Sequence, residues 1–426
     1  MLRLHYNSAL TSISLIVVFA FAFNADKQLQ GKPHTYQIRP GDNPQAVVDQ
    51  CAPGDHVVFL PGVHRHPLRK HQSILYVDKS LDIELRPNAI LMLKDDATDL
   101  LTTPEITIDH GAVKKLDDLS VNGQYDGQQG RAYFAIRIEK PGQANAPDLM
   151  QWSLLKSEPD VNKPFEHKGI RITGGIQELS NGIAIQFEST TGHSKNSLWI
   201  LSVGGEPAYG IRVGHGTQEN YIENVKIRGS GTIDMNLQNN EQPTEWVKDI
   251  SSAILLHGRV RNIHVQQLTM QNSMRTIMAY GERTGRFLRG GGTQGGVSFD
   301  AENIVITNTR SLNPLGKAIL LGHPSHRGRI RGVKCNFNYM ITHGTALEPN
   351  FLLDDYEVIG NQIKSGSLAI HCWRRSTNGL IKDNVRFDAL PNQEVVKVNH
   401  PSAWQASENL HIEGNSLRLR TSSDSN

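Results

Sequence analysis

Along most of the chain apolar residues alternate with polar ones in short runs, and Gly, Asn or Asp ends each run. Period-two alternation marks strands with one buried face, and the scarcity of helical periodicity predicts an almost all-β molecule. The one early helix expected is 43–50 (NPQAVVDQ), with Asp42 or Asn43 placed to cap it and Ala46, Val47 and Gln50 on one face. Residues 80–85 and 89–93 then read as two short strands.

The second half repeats itself. SAILLHG (252–258), RTIMAYG (275–281), KAILLGH (317–323), GTALEPN (344–350), SLAIHCW (367–373) and EVVKVNH (394–400) align as strands that end in a polar or Gly turn. A second strand follows most of them and opens on Asn262, Asn303, Asp355, Asn378 or Asn409. A unit of roughly 22–28 residues with two or three strands and no helix is a coil of a parallel β-helix, in which each coil is buried only by its neighbours. Residues 117–205 break the pattern. Their strands AIRIE, GIRIT, GIAIQFE and LWILSV, with Leu149, Trp152, Leu179 and Trp199 between turns, predict an antiparallel β-sandwich. Coil-like text at Asp109-His110 and Gly210-Ile211 makes it an insertion between coils. The expected organisation is therefore a leader over 1–22, a cap and first coils over 36–116, the inserted sandwich over 117–205, the main coils over 206–420 and a tail over 421–426.

The leader is expected because Arg3 and His5 precede an apolar run, 13–23, that ends in Ala20-Phe21-Ala22. A basic head, a short apolar core and an A-x-A triplet describe a secretory signal, too short to span a bilayer. The expected destination is secreted or periplasmic, with no stable membrane insertion after cleavage. With 44 basic and 42 acidic side chains, the net charge of +2 supplies no global attraction for nucleic acid or anionic membrane. Cys51, Cys335 and Cys372 allow at most one disulfide, and alternation points Cys335 and Cys372 inward. No metal site or cofactor is implied, because no calcium loop, short-spaced His/Cys set or phosphate-cradling glycine motif occurs. The Gly-rich stretch 290–296 reads as a mobile loop over a groove, and a monomer is expected.

Three features, GDNPQAVVDQCAPGDHVVFLPGVH (41–64), YIENVKIRGSGTIDMN (221–236) and the repeat, resemble the right-handed parallel β-helix (pectin lyase-like) superfamily of secreted polysaccharide-active proteins. The resemblance implies an all-β fold, a right-handed parallel β-helix with an inserted antiparallel β-sandwich, and an acidic polysaccharide as partner. It implies a lyase or epimerase that acts on a uronate-containing glycan by proton abstraction and β-elimination. A glycoside hydrolase on the same fold and a non-catalytic carbohydrate-binding or adhesion protein are the alternatives. The polygalacturonase branch's order is not kept: Gly214-His215-Gly216 lies upstream of GSGTID, and Arg-Ile-Lys is absent.

Alternation places Ile254/Leu256, Ile277/Ala279, Ile319/Leu321, Thr345/Leu347, Ile370/Cys372 and Val396/Val398 inside. His257, Tyr280, Gly322, Glu348, His371 and Asn399 then face outward, followed by His323, Trp373 and His400. Coils stack about 4.8 Å apart, so Glu348 and His371 are expected one coil apart and Tyr280 and His371 three. Basic residues gather nearby: Arg275, Arg283, Arg286, Lys317, His326, Arg327, Arg329, Arg331, Arg374 and Arg375. Uronate elimination needs a cation for the carboxylate, a base for the C5 proton and an acid for the leaving oxygen. The candidates are Arg374 or Arg327 for the first, His371 or His323 for the second and Tyr280 for the third. Glu348 would orient His371, while Arg375, His257 and Trp373 would contact substrate. Hydrolysis would need two carboxyl groups, and Glu348 has no evident outward carboxylate neighbour. The Gly214-His215-Gly216 turn and the sandwich edge near Trp152 are the next places to look.

Overall fold

The computed structural model describes residues 32–95, 97, 107–109, 116, 118–123, 132–142, 146–155, 164–203, 208–240, 251–283, 286–287, 293–294, 297–323, 327–373, 375–399 and 406–420. The expected leader and tail, most of the Gly-rich stretch, His326, Arg374 and His400 lie outside them. Of Arg286 and Arg327 only the backbone is described.

The repeat is a parallel β-helix. Ser252–His257, Val260–Gln266 and Thr269–Gln271 form one coil, with one strand in each of three parallel sheets. The next coil repeats it with Arg275–Arg283, Ala301–Thr307 and Arg310–Leu312, in the register Ile254↔Ile277, Ile263↔Ile304 and Met270↔Ser311. Ile254, Ile277, Ile319, Leu347 and Ile370 stack without solvent exposure inside one continuous apolar cluster. The polar residues that open the second strands have a backbone reason. Asn262, Asn303, Asp355, Asn378 and Asn409 all have φ between 52° and 55°, the left-handed region that Asn and Asp tolerate best among residues with a side chain. Several of them also bond to one another, as Asn303 does to Asn262 and Asn409 to Asn378. A second ladder is buried at Asn338, Asn361 and Asn384 and ends at half-buried Asn415; each accepts, through the side-chain oxygen, a backbone N–H of the preceding coil.

The helix spans Pro44–Gln50 and is capped by Asn43, whose side chain accepts from the Ala46 N–H. It buries Pro44, Gln45 and Val48 rather than the expected face, because Gln45 turns inward to bond the backbone of Tyr76 through both its oxygen and its nitrogen.

The coils run on across the insertion, since Leu75 pairs with Ile211, Ile83 with Ile227 and Leu91 with Ile233. Two antiparallel sheets lie between. One contains Thr107–Asp109, Ala132–Lys140, Leu149–Leu155, His167–Arg171 and Leu198–Val203; the other contains Leu119–Gly123, Gln177–Ser180 and Ile183–Phe187. Both face a common cluster that includes Leu119, Phe134, Trp152, Phe187 and Trp199. Asp109 was expected to lie in coil text, but Thr107–Asp109 pairs antiparallel with Ile200–Ser202. Three residues of alternation carry no mark of the sheet they join. A buried His193 ties the unit together, with Nδ1 2.7 Å from Asp148 and Nε2 2.8 Å from Asp118.

All three cysteines are free and buried. Cys335 and Cys372 do point inward, but they belong to different sheets of the coil.

Candidate functional site

The outward face of one parallel sheet carries the polar groups. Strand register divides them into two rows. Tyr76, Arg212, Leu255, Met278, Leu320, Glu348, His371 and Lys397 form one row. His257, Tyr280, Gly322, Asn350, Trp373 and Asn399 form the other, two residues further along the strands. The expected single row of His257, Tyr280, Glu348 and His371 therefore mixed both. In GTALEPN the inward pair is displaced by two residues, since Leu347 and Pro349, not Thr345 and Leu347, pair with Ile319 and Leu321. In SLAIHCW Ile370 and Cys372 do face inward, but the residue in line with His257 and Tyr280 is Trp373, and His371 lies between the inward pair. Glu348 and His371 remain neighbours one coil apart.

At the N-terminal end of this face a cleft of about 390 Å³ is lined by Lys70, His71, Tyr76, Asp78, His215 and Gln218, among others. The two loops that line it are tied together by Arg212, which is buried and has no carboxylate at ion-pair distance among the described residues. Instead Nη1 donates to the His71 carbonyl at 2.8 Å, Nε to the Gly214 carbonyl at 3.1 Å, and Nη2 points at the His215 carbonyl and at His257 Nδ1, both at 3.4 Å. One guanidinium thus fixes the backbone on both sides of the cleft. His71 and Gln72 both have φ near 50°, a costly conformation for consecutive non-glycine residues. Their loop is held by Arg212 and by the Ser73 hydroxyl, which donates to the Lys70 carbonyl. Opposite, Gln218 accepts from the His215 and Gly216 N–H groups and donates to the His257 and Arg259 carbonyls. Gly216 is required there: a Cβ would sit 2.6 Å from the His257 ring.

The two loops bring the His71 and His215 rings into a stack, 5.2 Å apart and 18° from parallel, with Tyr76 4.3 Å from His71. Burial, then the Arg212 charge, lowers the basicity of both imidazoles, that of His71 to about 4. Burial, then Asp78, pushes the Tyr76 phenol up to about 12. At neutral pH the cleft presents neutral imidazoles, a protonated phenol and, at its rim, the ammonium of Lys70.

The second cluster lies six strands along the same sheet. Glu348 is 1% exposed, with Oε1 accepting from Lys317 Nζ at 2.9 Å and from Asn350 Nδ2 at 2.6 Å. His371 Nδ1 stands 3.6 Å from Oε2, an ion-pair separation rather than a hydrogen bond. Burial opposes the charge on Glu348, but His371 and Lys317 outweigh it and hold the carboxyl below its ordinary value. Trp373 stacks on the His371 ring at 5.4 Å.

Between the two clusters the face is apolar and covered. Tyr209, Leu255, Met278, Tyr280 and Leu320 form a separate buried group. Beside it Arg275–Arg283 runs past its coil and pairs antiparallel with Ser298–Phe299 and Arg327–Gly328. Tyr280 is 2% exposed, and burial followed by Tyr209 keeps its phenol protonated. Its ring meets His257 at 4.5 Å and His323 at 5.7 Å. His257 in turn bonds Glu282 at 3.0 Å. The sequence-derived candidates therefore divide: Tyr280, His323 and His257 lie with the buried middle, while Glu348, His371 and Trp373 form the distal cluster. Arg375, with φ 52°, follows that cluster in the chain. His71, Tyr76, Arg212, Glu282 and the role of Lys317 were not anticipated. Of the cleft residues, only His215 was signalled, by its Gly-His-Gly turn.

No family model matches the chain, and no curated protein matches its sequence. Among solved structures it is similar to the A-module of a mannuronan C-5 epimerase from Azotobacter vinelandii, at 10% identity over 88% of this chain and 83% of that one, with a TM-score of 0.36. It is also similar to a polygalacturonase from Erwinia carotovora ssp. carotovora, at 11% identity over 91% and 96%, TM-score 0.31. A tailspike protein mutant of E. coli bacteriophage HK620 in complex with pentasaccharide matches at 11% identity over 89% of this chain and 64% of that one, TM-score 0.31. Likenesses this distant carry no argument about activity. The strand register itself establishes the parallel β-helix.

Proposed function

We propose that the protein is an enzyme acting on an acidic, uronate-containing glycan by proton transfer in the cleft of His71, Tyr76 and His215. The observation that carries this reading is the meeting, in one cleft, of neutral imidazoles, a phenol that keeps its proton and an ammonium. Lys70 is placed to take the uronate carboxylate, because its present partner Asp78 is an exposed ion pair at 3.3 Å and such pairs are weak. A neutral His71 or His215 accepts the C5 proton. In β-elimination the C5–H electron pair forms the C4=C5 double bond, the C4–O bond breaks, and Tyr76 gives its proton to the leaving oxygen. In epimerisation the same carbanion is reprotonated on its opposite face. Retaining or inverting hydrolysis would require a pair of working carboxyl groups. The cleft lining also holds the carboxyl groups of Asp78 and Glu219, which keep hydrolysis as the second reading; the neutral imidazoles and the protonated phenol are the groups that elimination uses, so elimination is the better fit. A secreted or periplasmic site of action belongs to the same proposal.

The test is incubation with alginate, pectate, glycosaminoglycans and ulvan, following unsaturated-uronate absorbance, reducing ends and the C5 epimer ratio. A lyase raises the first two, a hydrolase only reducing ends, an epimerase only the ratio. His71→Gln and Tyr76→Phe are expected to abolish whichever signal the wild type gives. Undiminished turnover in both, or no signal from the wild type on any of the four, overturns the proposal.

A further inference from the structure

We propose that Glu348, His371 and Trp373 form a second sugar subsite, distinct from the cleft, in which His371 Nε2 accepts the hydroxyl of a ring seated beside Trp373. The proposal rests on the cleft reading for the class of ligand; its geometry is independent.

The argument starts from an atom without a partner. His371 Nε2 is buried and has no hydrogen-bond partner among the described residues. Buried polar atoms in native proteins are almost always satisfied, so an exception calls for an explanation. The other ring nitrogen faces the Glu348 carboxylate, which can only accept, so the tautomer this geometry favours has its proton on Nδ1 and a lone pair on Nε2. Lys317 and Asn350 fix that carboxylate from the far side, and Trp373 holds the ring from its face. An imidazole held on one edge and one face, with a bare lone pair on its other edge, is a receptor for a small donor group.

The chemistry of that donor follows from the surroundings. A second carboxylate would meet the charge of Glu348, whereas a hydroxyl carries its own proton to the lone pair and no charge. The apolar C–H face of a sugar ring fits an indole. Nε2 is shielded as the chain stands, so a sugar hydroxyl reaches it only when a neighbouring side chain shifts. The strand Ile370–Trp373 lies six strand steps from Ser73–Val77 in the sheet. At about 4.8 Å per step the subsite is about 29 Å from the cleft, beyond the reach of a disaccharide and within that of a chain.

The test uses uronate dimers and decamers prepared from pectate and from alginate, titrated by calorimetry and tryptophan fluorescence. Wild-type protein is expected to bind a decamer at least tenfold more tightly than His371→Gln or Trp373→Phe, with a fluorescence change that Trp373→Phe removes. Dimer affinity is expected to be equal in all three. The length dependence separates a subsite from a structural role, and unchanged melting temperatures confirm that both variants fold. Wild-type decamer affinity in both variants overturns the subsite; if Lys70→Ala still weakens the dimer, the cleft reading survives. Loss of decamer binding in His371→Gln with none in Lys70→Ala upholds the subsite and removes the cleft. No binding of any probe to the wild type overturns both.

Discussion

The two polar clusters on one sheet face are built around opposite charges. The loops of the cleft are tied by a buried guanidinium whose partners are carbonyl groups and an imidazole. The distal cluster is centred on a buried carboxylate whose partners are an ammonium, an amide and an imidazole. Burial, and after it the cation beside His71 and His215, makes a positive charge on either ring costly, so those rings stay neutral and basic groups without a proton line the cleft. A carboxylate beside His371 instead fixes which of its nitrogens holds the proton. The same side chain is thus prepared for proton abstraction in one place and for hydrogen-bond acceptance in the other.

The sharpest way to break the comparison is turnover on a substrate from the four-glycan panel. His71→Gln or Tyr76→Phe should reduce kcat by about 100- to 10,000-fold, as loss of a proton-transfer group does. His371→Gln should change kcat less than about tenfold. Equal losses in both clusters would dissolve the distinction.

Stability gives the next largest contrast, read by denaturant unfolding. Glu348→Ala leaves Lys317 and His371 without their carboxylate and should cost about 3–5 kcal/mol. Arg212→Met leaves carbonyl groups unsatisfied rather than a charge uncompensated and should cost about 1–3 kcal/mol, with loss of turnover because both cleft loops are released.

The smallest effect is the pH dependence of stability, where the two clusters act in different windows. His71 takes up a proton near 6.5 in the unfolded chain but only near 4 in the folded one, so its contribution is complete above 6.5 and is lost as pH falls to 4. Glu348 has a folded value below its ordinary 4.5, so its contribution is present above 4.5 and is lost only as pH falls through the lower value. His71→Gln should flatten the stability profile between 6.5 and 4, and Glu348→Gln should flatten it only below 4.5. Identical profiles for the two variants would contradict the assignment.

What could be read from the sequence was whatever the backbone repeats. Each coil needs a left-handed residue at one corner, and Asn262, Asn303, Asp355, Asn378 and Asn409 stand out for that reason. The ladder of Asn338, Asn361, Asn384 and Asn415, at intervals of 23, 23 and 31 residues, follows the same coil spacing through side-chain hydrogen bonds rather than a left-handed backbone. The outward pairing of Glu348 with His371 was legible because alternation and coil spacing suffice for adjacent strands. The cleft was not. Lys70 and His71 belong to an irregular turn before Ser73–Val77, and His215 lies more than a hundred residues away across the insertion, beyond the reach of any local period. Alternation alone makes Arg212 one more outward residue of its strand; only the meeting of three carbonyls around it reveals its place.

The most direct measurement is a crystal structure of Tyr76→Phe soaked with a decamer of the glycan that wild-type protein turns over. The account predicts a uronate in the cleft, its carboxylate on Lys70 and its C5 facing His71 or His215. A decamer ordered elsewhere on the molecule, with the cleft empty, would contradict it.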